Sequence, residues 1–405
     1  MSEGPTAEFG AALSEHPLAT HATGEVVGEL LETLGSEPDL ALVFVTAAHL
    51  GALDDVVATV KATLGARTVL GATTRSVLGG RREVEGQPAV AAWAARGGRV
   101  TPVRLMSAED WPDHDAEPGS TLVLLSDPDS FAARDALDTA AQRWPGVTVV
   151  GGPASAPTGP GGNRLSLDGR AYTEGAVGAL LGPQWPLRTV VSQGCRPIGD
   201  PYTVTRAERS MVHELAGQPA MARLGEVVRH LSPDERTAAA QSLHLGWLVD
   251  EHKLDLERGD FLVRPIQGAD PDTGSIAIPA EIEVGATVQF HVRDATSADE
   301  DLRAMLAGTP AAAALLFVGV ARGLQMFGTA DHDAKVVSTL TESPPSPGAF
   351  RAVRPMTVAG MFTAAPVGPV GTRSFVHPPE AAVALLAGTS APPPVGPDLG
   401  EGPIR

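Results

Sequence analysis

The sequence predicts an α/β fold with mixed sheets, built from strand–helix–strand–hairpin repeats and arranged in two lobes. Three observations support this fold class. One unit of that composition occurs three times along the chain. Its strands are continuous apolar runs, which suit strands buried on both faces of a sheet. Each copy also carries a glycine at the end of its second strand, where a chain can turn without the steric cost of a Cβ.

The first copy follows an N-terminal region (residues 1–35), in which helical spacing of apolar residues predicts a helix over Thr23–Leu34. The copy is predicted as the strand Leu40–Val45, the amphipathic helix Ala52–Leu64, the strand Thr68–Leu70 ending on Gly71, and the strand Ala89–Ala95.

The second and third copies repeat that order. The predicted elements of the second are strand Thr121–Leu125, helix Asp129–Trp144, strand Val147–Val150 before Gly151, and strand Gly175–Leu181. Those of the third are strand Ala314–Val318, a helix near Asp333–Leu340, strand Met356–Ala359 before Gly360, and strand Ala381–Leu386. The closing strands are AVAAWAA, GAVGALL and AAVALLA, which are nearly interchangeable. Their similarity indicates an internal repeat.

The region between the second and third copies does not follow the order of the repeat. Strands are predicted at Arg188–Ser192, Leu243–Asp250, Phe261–Ile266, Ser275–Pro279 and Thr287–Arg293, with a helix over Ala220–Leu231. Capping boxes beginning at Ser232 and Ser297 predict two further helix starts. The predicted domains are therefore 36–185 and 186–389, followed by a disordered tail over 390–405 that is poor in apolar residues.

Composition excludes several classes of function. Acidic residues outnumber basic ones by 48 to 30, and the resulting charge of −18 repels a nucleic-acid backbone. The longest apolar run, Ala311–Ala321, is too short to span a bilayer, and the N-terminus lacks the pattern of a signal peptide. The single cysteine fits a reducing compartment. We therefore expect a cytoplasmic protein without nucleic-acid or membrane partners.

Several stretches together resemble the FIST family. VVSQGCRPIGDPYTVTRAERSMVHELAGQPA is similar to the segment joining the FIST N and FIST C domains, and TVLGATTRSVLGGRREVEGQPAVA to part of FIST N. LLFVGVARGLQMFG and GPVGTRSFVHPPEAAVALLAG follow in the order expected of FIST C. The resemblance covers roughly residues 36–389. It implies a stand-alone bacterial member, acting as an intracellular sensory or signal-transduction module that binds small ligands such as amino acids and has a signalling protein as partner.

Arginines beside glycine turns are the natural anchors for a small carboxylate, because a guanidinium pairs with both carboxylate oxygens. Arg75 and Arg322 occupy such positions in the first and third copies, and Arg196 lies in the joining motif. We expect the glycine turns of the three repeats, which we call the repeat corners, to meet at one cleft. The predicted ligand-binding residues are Thr73, Thr74, Arg75, Gln193, Arg196, Arg322, Asp331, His332 and His377.

Two alternatives remain open from the sequence. Cys195, next to Arg196, is a candidate nucleophile for a hydrolase or transferase, although no phosphate-binding loop, dinucleotide fingerprint or GxSxG turn accompanies it. A small, half-buried residue at a strand end is the other interpretation of that cysteine. The second alternative is a protein–protein interaction adaptor. No metal site and no cofactor is predicted.

Overall fold

The computed structural model describes residues 7–156, 159, 161–253, 256–340, 356–377 and 380–390. Its helices are α1 (Ala19–Thr33), α2 (Leu53–Leu64), α3 (Ala133–Arg143), α4 (Ala220–His230), α5 (Pro233–Gln241), α6 (Ala295–Leu306), α7 (Leu324–Phe327) and α8 (His332–Leu340). Two 3-10 turns cover Ala47–Ala52 and Arg258–Asp260. Within the described residues, no helix is long and apolar enough to cross a membrane.

The strands of the first half are β1 (Glu8–Ser14), β2 (Leu40–Thr46), β3 (Thr68–Thr74), β4 (Ser76–Gly79), β5 (Arg82–Glu85), β6 (Val90–Arg96), β7 (Val100–Leu105), β8 (Thr121–Ser126), β9 (Thr148–Pro153), β10 (Leu165–Leu167), β11 (Arg170–Tyr172), β12 (Ala176–Leu181) and β13 (Leu187–Ser192). The later strands are β14 (Cys195–Glu208), β15 (Met211–Leu215), β16 (Gln218–Pro219), β17 (Leu243–Leu248), β18 (Phe261–Pro265), β19 (Gly268–Asp270), β20 (Ser275–Ala277), β21 (Thr287–Arg293), β22 (Ala313–Gly319), β23 (Thr357–Thr363), β24 (Val367–Val370), β25 (Arg373–Val376), β26 (Ala381–Leu386) and β27 (Thr389–Ser390).

Each repeat forms the centre of its own mixed sheet, so the predicted α/β class is confirmed. The three sheets have the orders β11-β10-β3-β2-β6-β1-β27, β25-β24-β9-β8-β12-β7 and β13-β26-β22-β23-β4-β5. In each, the first and second strands of the repeat pair in parallel and the closing strand pairs antiparallel to the first. The repeat glycine always lies opposite the fourth residue of the first strand: Val43–Gly71, Leu124–Gly151 and Leu316–Gly360.

The three units exchange their hairpins. The first unit's hairpin, β4–β5, adds to β23 of the third unit, while the second unit's β10–β11 adds to β3 of the first. The third unit's β24–β25 adds to β9 of the second. Each of these three sheets therefore contains a hairpin from another unit. Strands from both sides of the predicted boundary between residues 185 and 186 occur in the same sheet.

One apolar core joins all three sheets. Phe44 of β2 meets Phe317 of β22 edge to face, with ring centroids 6.4 Å apart, and both residues are fully buried. The helices cover the outer faces of the sheets, where α1 and α2 pack on the first, α3 on the second, and α6 and α8 on the third. This layering explains the unbroken apolar runs, because the central strands are covered on both sides.

The third unit contains a large insertion between β13 and α6. Its eight strands form a sheet of order β18-β17-β21-β14-β15-β20-β19, with β16 pairing β15. A separate apolar core containing Val204, Phe290 and Ile276 joins this sheet to α4 and α5. Among the described residues, this insertion is a strong departure from the threefold repetition.

Several local expectations need correction. The repeat glycines do not form turns, because the second strands continue two residues beyond Gly151 and three residues beyond Gly71 and Gly360. A Cβ on Gly151 or Gly360 would instead overlap a backbone carbonyl of the neighbouring strand. Helix α6 is capped by the Asp294 side chain, which accepts from Ser297 N, so Ser297 is not the N-cap. The predicted disordered tail lies outside the described residues except for Ser390, which ends β27.

Candidate ligand-binding site

The three repeat corners do meet, through protein atoms. Thr74 Oγ1, at the end of β3, donates to Phe362 O at 2.5 Å and lies 3.1 Å from Ser155 Oγ. Ser155 Oγ also donates to Phe362 O, at 2.6 Å. Thr73 is buried and its Oγ1 accepts from Arg164 N at 2.9 Å. The side-chain oxygens of both predicted threonines are thus already engaged by the chain itself.

Arg75 lies beside this junction with an exposed side chain. Its backbone N–H donates to Ser155 Oγ at 3.1 Å, while its guanidinium makes no hydrogen bond or ion pair with the described residues. Of the residues predicted near the repeat corners, Arg75 is the one whose polar side chain faces solvent.

Arg322 is at the centre of a buried ionic cluster. Its Nε and Nη2 donate to the two carboxylate oxygens of Asp333 at 2.6 and 2.8 Å, and both side chains are almost completely buried. His332 bridges Asp333 and Asp299 through its two ring nitrogens, each 2.9 Å from a carboxylate oxygen, and stacks on Phe327. Burial disfavours the arginine charge, but Asp333 outweighs burial and raises the pKa of Arg322. The structure thus brings two predicted residues together, with the arginine already paired.

Asp331 links this cluster to the exchanged hairpin of the first unit. Its Oδ1 accepts from Glu83 N at 2.9 Å, and Glu83 Oε1 accepts from Ala334 N at 2.9 Å. Burial, followed by the nearby Asp333 carboxylate, raises the pKa of Glu83 to about 8. Burial also acts on Asp333, but its pair with Arg322 lowers the pKa of that carboxyl to about 2. The two neighbouring carboxyl groups therefore have opposite protonation states near neutral pH.

Two predicted residues of the joining motif hold the inserted sheet in place. Gln193 Nε2 donates to Phe261 O at 2.5 Å, and its Oε1 accepts from Val263 N at 2.9 Å. Arg196 Nη1 donates to Glu235 Oε1 at 2.7 Å. Glu235 belongs to the capping box of α5, which is confirmed.

The last predicted histidine and the cysteine are buried. His377 Nε2 lies 2.9 Å from Gly368 O, and its Nδ1 lies 2.7 Å from Glu380 Oε2, without the alignment of a hydrogen bond. The Cys195 thiol donates to Gln193 O at 3.4 Å. Burial raises the pKa of the Cys195 thiol far above its usual range, so the thiolate is disfavoured at neutral pH.

A cleft of about 250 Å³ lies where the inserted sheet faces helix α3. Its walls are mainly apolar, and its charged groups are Arg134 and Asp138 on the α3 side and Arg264 and Glu281 on the side of the inserted sheet. Its apolar lining includes Leu137 of α3, Trp247 of β17, Leu262 of β18 and Phe375 of β25. The volume is somewhat below the roughly 300–1,000 Å³ of pockets for drug-sized ligands, so it suits a smaller molecule.

The two arginines differ in how firmly they are held. Arg264 is buried, and its Nη1 and Nη2 donate to Val263 O and Val376 O, both at 2.8 Å. Arg134 is exposed and makes no hydrogen bond or ion pair with the described residues. Burial lowers the pKa of Arg264, and the positive charge of Arg134 lowers it further against the opposing effect of Glu380. An anion between the two arginines would relieve that repulsion.

Sequence reasoning did not identify these two arginines. Arg264 interrupts the apolar run FLVRPI, and an arginine inside a buried strand is a signal that could have been used. Arg134 lies on an ordinary amphipathic helix, and only the tertiary structure brings it to the cleft.

Comparison with known proteins gives matches over most of the chain. The model of the FIST N domain matches residues 39–218, and that of the FIST C domain matches residues 220–365. An uncharacterized protein of Mycobacterium tuberculosis is 37% identical over 398 residues, covering 93% of this chain and 99% of the relative. An uncharacterized protein of Mycobacterium bovis is 37% identical over 393 residues, covering 93% of this chain and 98% of the relative. Arg134 falls in the first matched region and Arg264 in the second.

Proposed function

Because the chain belongs to the FIST family, whose domains are sensory-type domains of signal-transduction proteins, we propose that it is a non-enzymatic intracellular sensor. Its ligand is a small carboxylate such as an amino acid, bound in the cleft between the FIST N and FIST C parts. The observation that carries this proposal is the pair of arginines, Arg134 and Arg264, which line one cleft from the FIST N and FIST C parts. Neither forms an ion pair with Asp138, Glu281 or another carboxylate among the described residues.

Ligand shape follows from the walls of the cleft. Leu137, Trp247, Leu262 and Phe375 offer apolar surface to a side chain, while Arg134 offers unused donors to a carboxylate. The best match is therefore a carboxylate with a short apolar group, larger than acetate and smaller than a nucleotide.

The position of the cleft indicates how ligand binding could be transmitted to a partner. One wall belongs to the FIST N part and the other to the FIST C part, so a ligand that contacts both stabilises the arrangement in which they lie together. Ligand binding can shift a population only through such differential contact. A signalling partner that contacts both parts would sense this shift.

The proposal is tested by thermal shift with amino acids and their 2-oxo acids at millimolar concentration, followed by calorimetry on those that stabilise the protein. Replacing Arg134 by alanine removes a charge-assisted pair and is expected to weaken binding by about tenfold or more. The fold should tolerate this change, because Arg134 supports no other described residue. Absence of stabilisation by every compound, or unchanged affinity in Arg134→Ala, would contradict the proposal.

Arg75→Ala is the matched comparison. It removes another exposed arginine, the one that the sequence places at the repeat corners. We expect wild-type affinity in this variant. If Arg75→Ala loses binding and Arg134→Ala keeps it, the ligand binds at the repeat corners and the cleft is not the site.

The cysteine-dependent enzyme is the competing function, and Cys195 separates the two. A buried thiol with a raised pKa should react with iodoacetamide much more slowly than free cysteine at pH 7.5. Alkylation as fast as that of free cysteine would favour the enzyme. In the sensor, Cys195→Ala keeps its ligand affinity.

A further inference from the structure

A second cavity lies at the opposite ends of the first repeat's parallel strands. It has a volume of about 690 Å³ and is open to solvent. Asp39, directly before β2, and Arg67, directly before β3, line it. Arg96 at the end of β6, Arg99 in the turn to β7 and Glu8 of β1 line it as well. It is therefore a separate feature from the cleft between α3 and the inserted sheet.

A buried carboxylate shapes this cavity. Asp39 Oδ2 accepts from the backbone N–H groups of Gly97 and Gly98, both at 3.0 Å, and its Oδ1 lies 3.2 Å from Arg67 Nη1. A Cβ at Gly97 would overlap the ring of Trp185, and Gly98 has a φ of +135°. The turn that carries Arg99 is thus held in one conformation, which lowers the entropy cost of binding.

The three arginines of the cavity are not equally engaged. Arg96 pairs with Glu8 at 2.5 Å and donates to Leu34 O and Ser36 O, so its guanidinium is largely used. Arg67 makes one ion pair and its side chain is 76% exposed. Arg99 is exposed and has no hydrogen bond or ion pair from its side chain to the described residues. Two guanidinium groups therefore keep unused donors at the same cavity.

We propose that this cavity binds a small phosphate-bearing molecule through Arg67 and Arg99. A guanidinium fork matches two phosphate oxygens, and a tetrahedral phosphate has enough oxygens for two guanidinium groups, whereas a monocarboxylate must share its two oxygens between them. The three arginines of the cavity outnumber its carboxylates, Glu8 and Asp39, which favours an anion. The chain as a whole has a net charge of −18 and does not attract anions, so the arginines at this cavity are a local exception. The cavity exceeds a phosphate group in volume, so it leaves room for an attached organic group.

The test is calorimetric titration of the full chain with inorganic pyrophosphate, at constant ionic strength because arginine–phosphate pairs weaken with salt. Saturable binding with one site is expected. Arg67→Ala/Arg99→Ala should weaken it by about 100-fold, because each charge-assisted pair contributes roughly tenfold or more. Arg99→Ala alone should lose about tenfold, and it keeps the test informative if the double variant does not fold.

The charge-matched control is Arg229→Ala/Arg236→Ala, which removes two exposed arginines from α4 and α5 and should bind like wild type. The proposal is overturned if the wild type shows no saturable binding, if the Arg67/Arg99 variant binds with equal affinity, or if the control variant loses as much affinity. Succinate serves as the dicarboxylate probe, and binding as tight as that of pyrophosphate would overturn phosphate as the ligand class. None of these outcomes bears on the α3 cleft, where the amino-acid titrations give a separate answer.

Discussion

The wild-type protein should become less stable as the pH rises, because Glu83 ionises where the hairpin β4–β5 contacts helix α8. Glu83→Gln should abolish this part of the pH dependence. Glu83 Oε1 accepts from Ala334 N, and the glutamine oxygen can keep that bond. The second carboxylate oxygen is buried and has no hydrogen-bond partner among the described residues. An amide in its place is uncharged at every pH, so the substitution isolates the charge.

The magnitude follows from the pKa. Burial and the Asp333 charge raise the pKa of Glu83 from 4.5 to about 8, and one pKa unit corresponds to about 1.4 kcal/mol. Between these values the folded protein holds a proton that the unfolded chain has released. The stabilising contribution is therefore complete below pH 4.5 and disappears as the pH rises through 8. From pH 6 to pH 9 the wild type should lose about 3 kcal/mol through this group.

Urea unfolding followed by circular dichroism, at pH 6 and pH 9, measures the effect. The free energy of unfolding should fall between these pH values by about 3 kcal/mol more in the wild type than in Glu83→Gln. Glu85→Gln is the matched control from the same hairpin. Glu85 Oε1 accepts from Leu324 N and its side chain is only half-buried, so this variant removes a carboxylate from the hairpin while keeping Glu83, and its stability should depend on pH as that of the wild type does. Equal pH dependence of wild type and Glu83→Gln would refute the assignment of the raised pKa to a buried Glu83.

Three further predictions use the same unfolding assay. Asp333→Asn leaves a buried guanidinium without its counter-charge and should cost about 3–5 kcal/mol at pH 7; a cost below about 1 kcal/mol would contradict a buried pair. Gly360→Ala places a methyl group against a backbone carbonyl and should cost at least about 2 kcal/mol, whereas Gly24→Ala, on the exposed face of α1, should stabilise by about 0.5–1 kcal/mol. Burial lowers the pKa of His244 and His291 to about 4, below the unfolded value of 6.5. Stability present above pH 6.5 should therefore decline by about 1.4 kcal/mol per pH unit for each histidine as the pH falls towards 4, and His244→Gln should reduce this slope.

Local pattern was enough to predict the central elements of the fold. Ala381–Leu386 was predicted with the bounds that the structure has, because continuous burial produces a continuous apolar run. Thr287–Arg293 was also predicted with its bounds, and there Val288, Phe290 and Val292 alternate with polar residues. The longest strand, Cys195–Glu208, was missed because most of its residues are exposed or half-buried and leave no apolar run. The strand Glu8–Ser14 was missed for a related reason, since its small residues carry little hydrophobic signal.

The site was less predictable than the fold. Sequence reasoning selected arginines by their position beside glycines, and that criterion cannot distinguish a paired arginine from an open one. Arg322 met the criterion, yet its carboxylate partner Asp333 lies only eleven positions later in the chain. Arg134 did not meet it and faces the cleft with unused donors. Whether a guanidinium is available depends on tertiary contacts, and a sequence pattern does not contain them.

The hairpin exchange explains why open space lies away from the repeat corners. Each unit's corner is covered by an element from another unit, and the side chains of Thr74 and Ser155 close the junction with hydrogen bonds to Phe362 O. Three equal units completed in this way bury their shared centre. In the part of the chain that the structure describes, the inserted sheet belongs to the third unit alone, and its strands β17 and β18 face α3 of the second unit across the cleft. The departure from threefold repetition therefore supplies the cleft that we propose as the ligand-binding site.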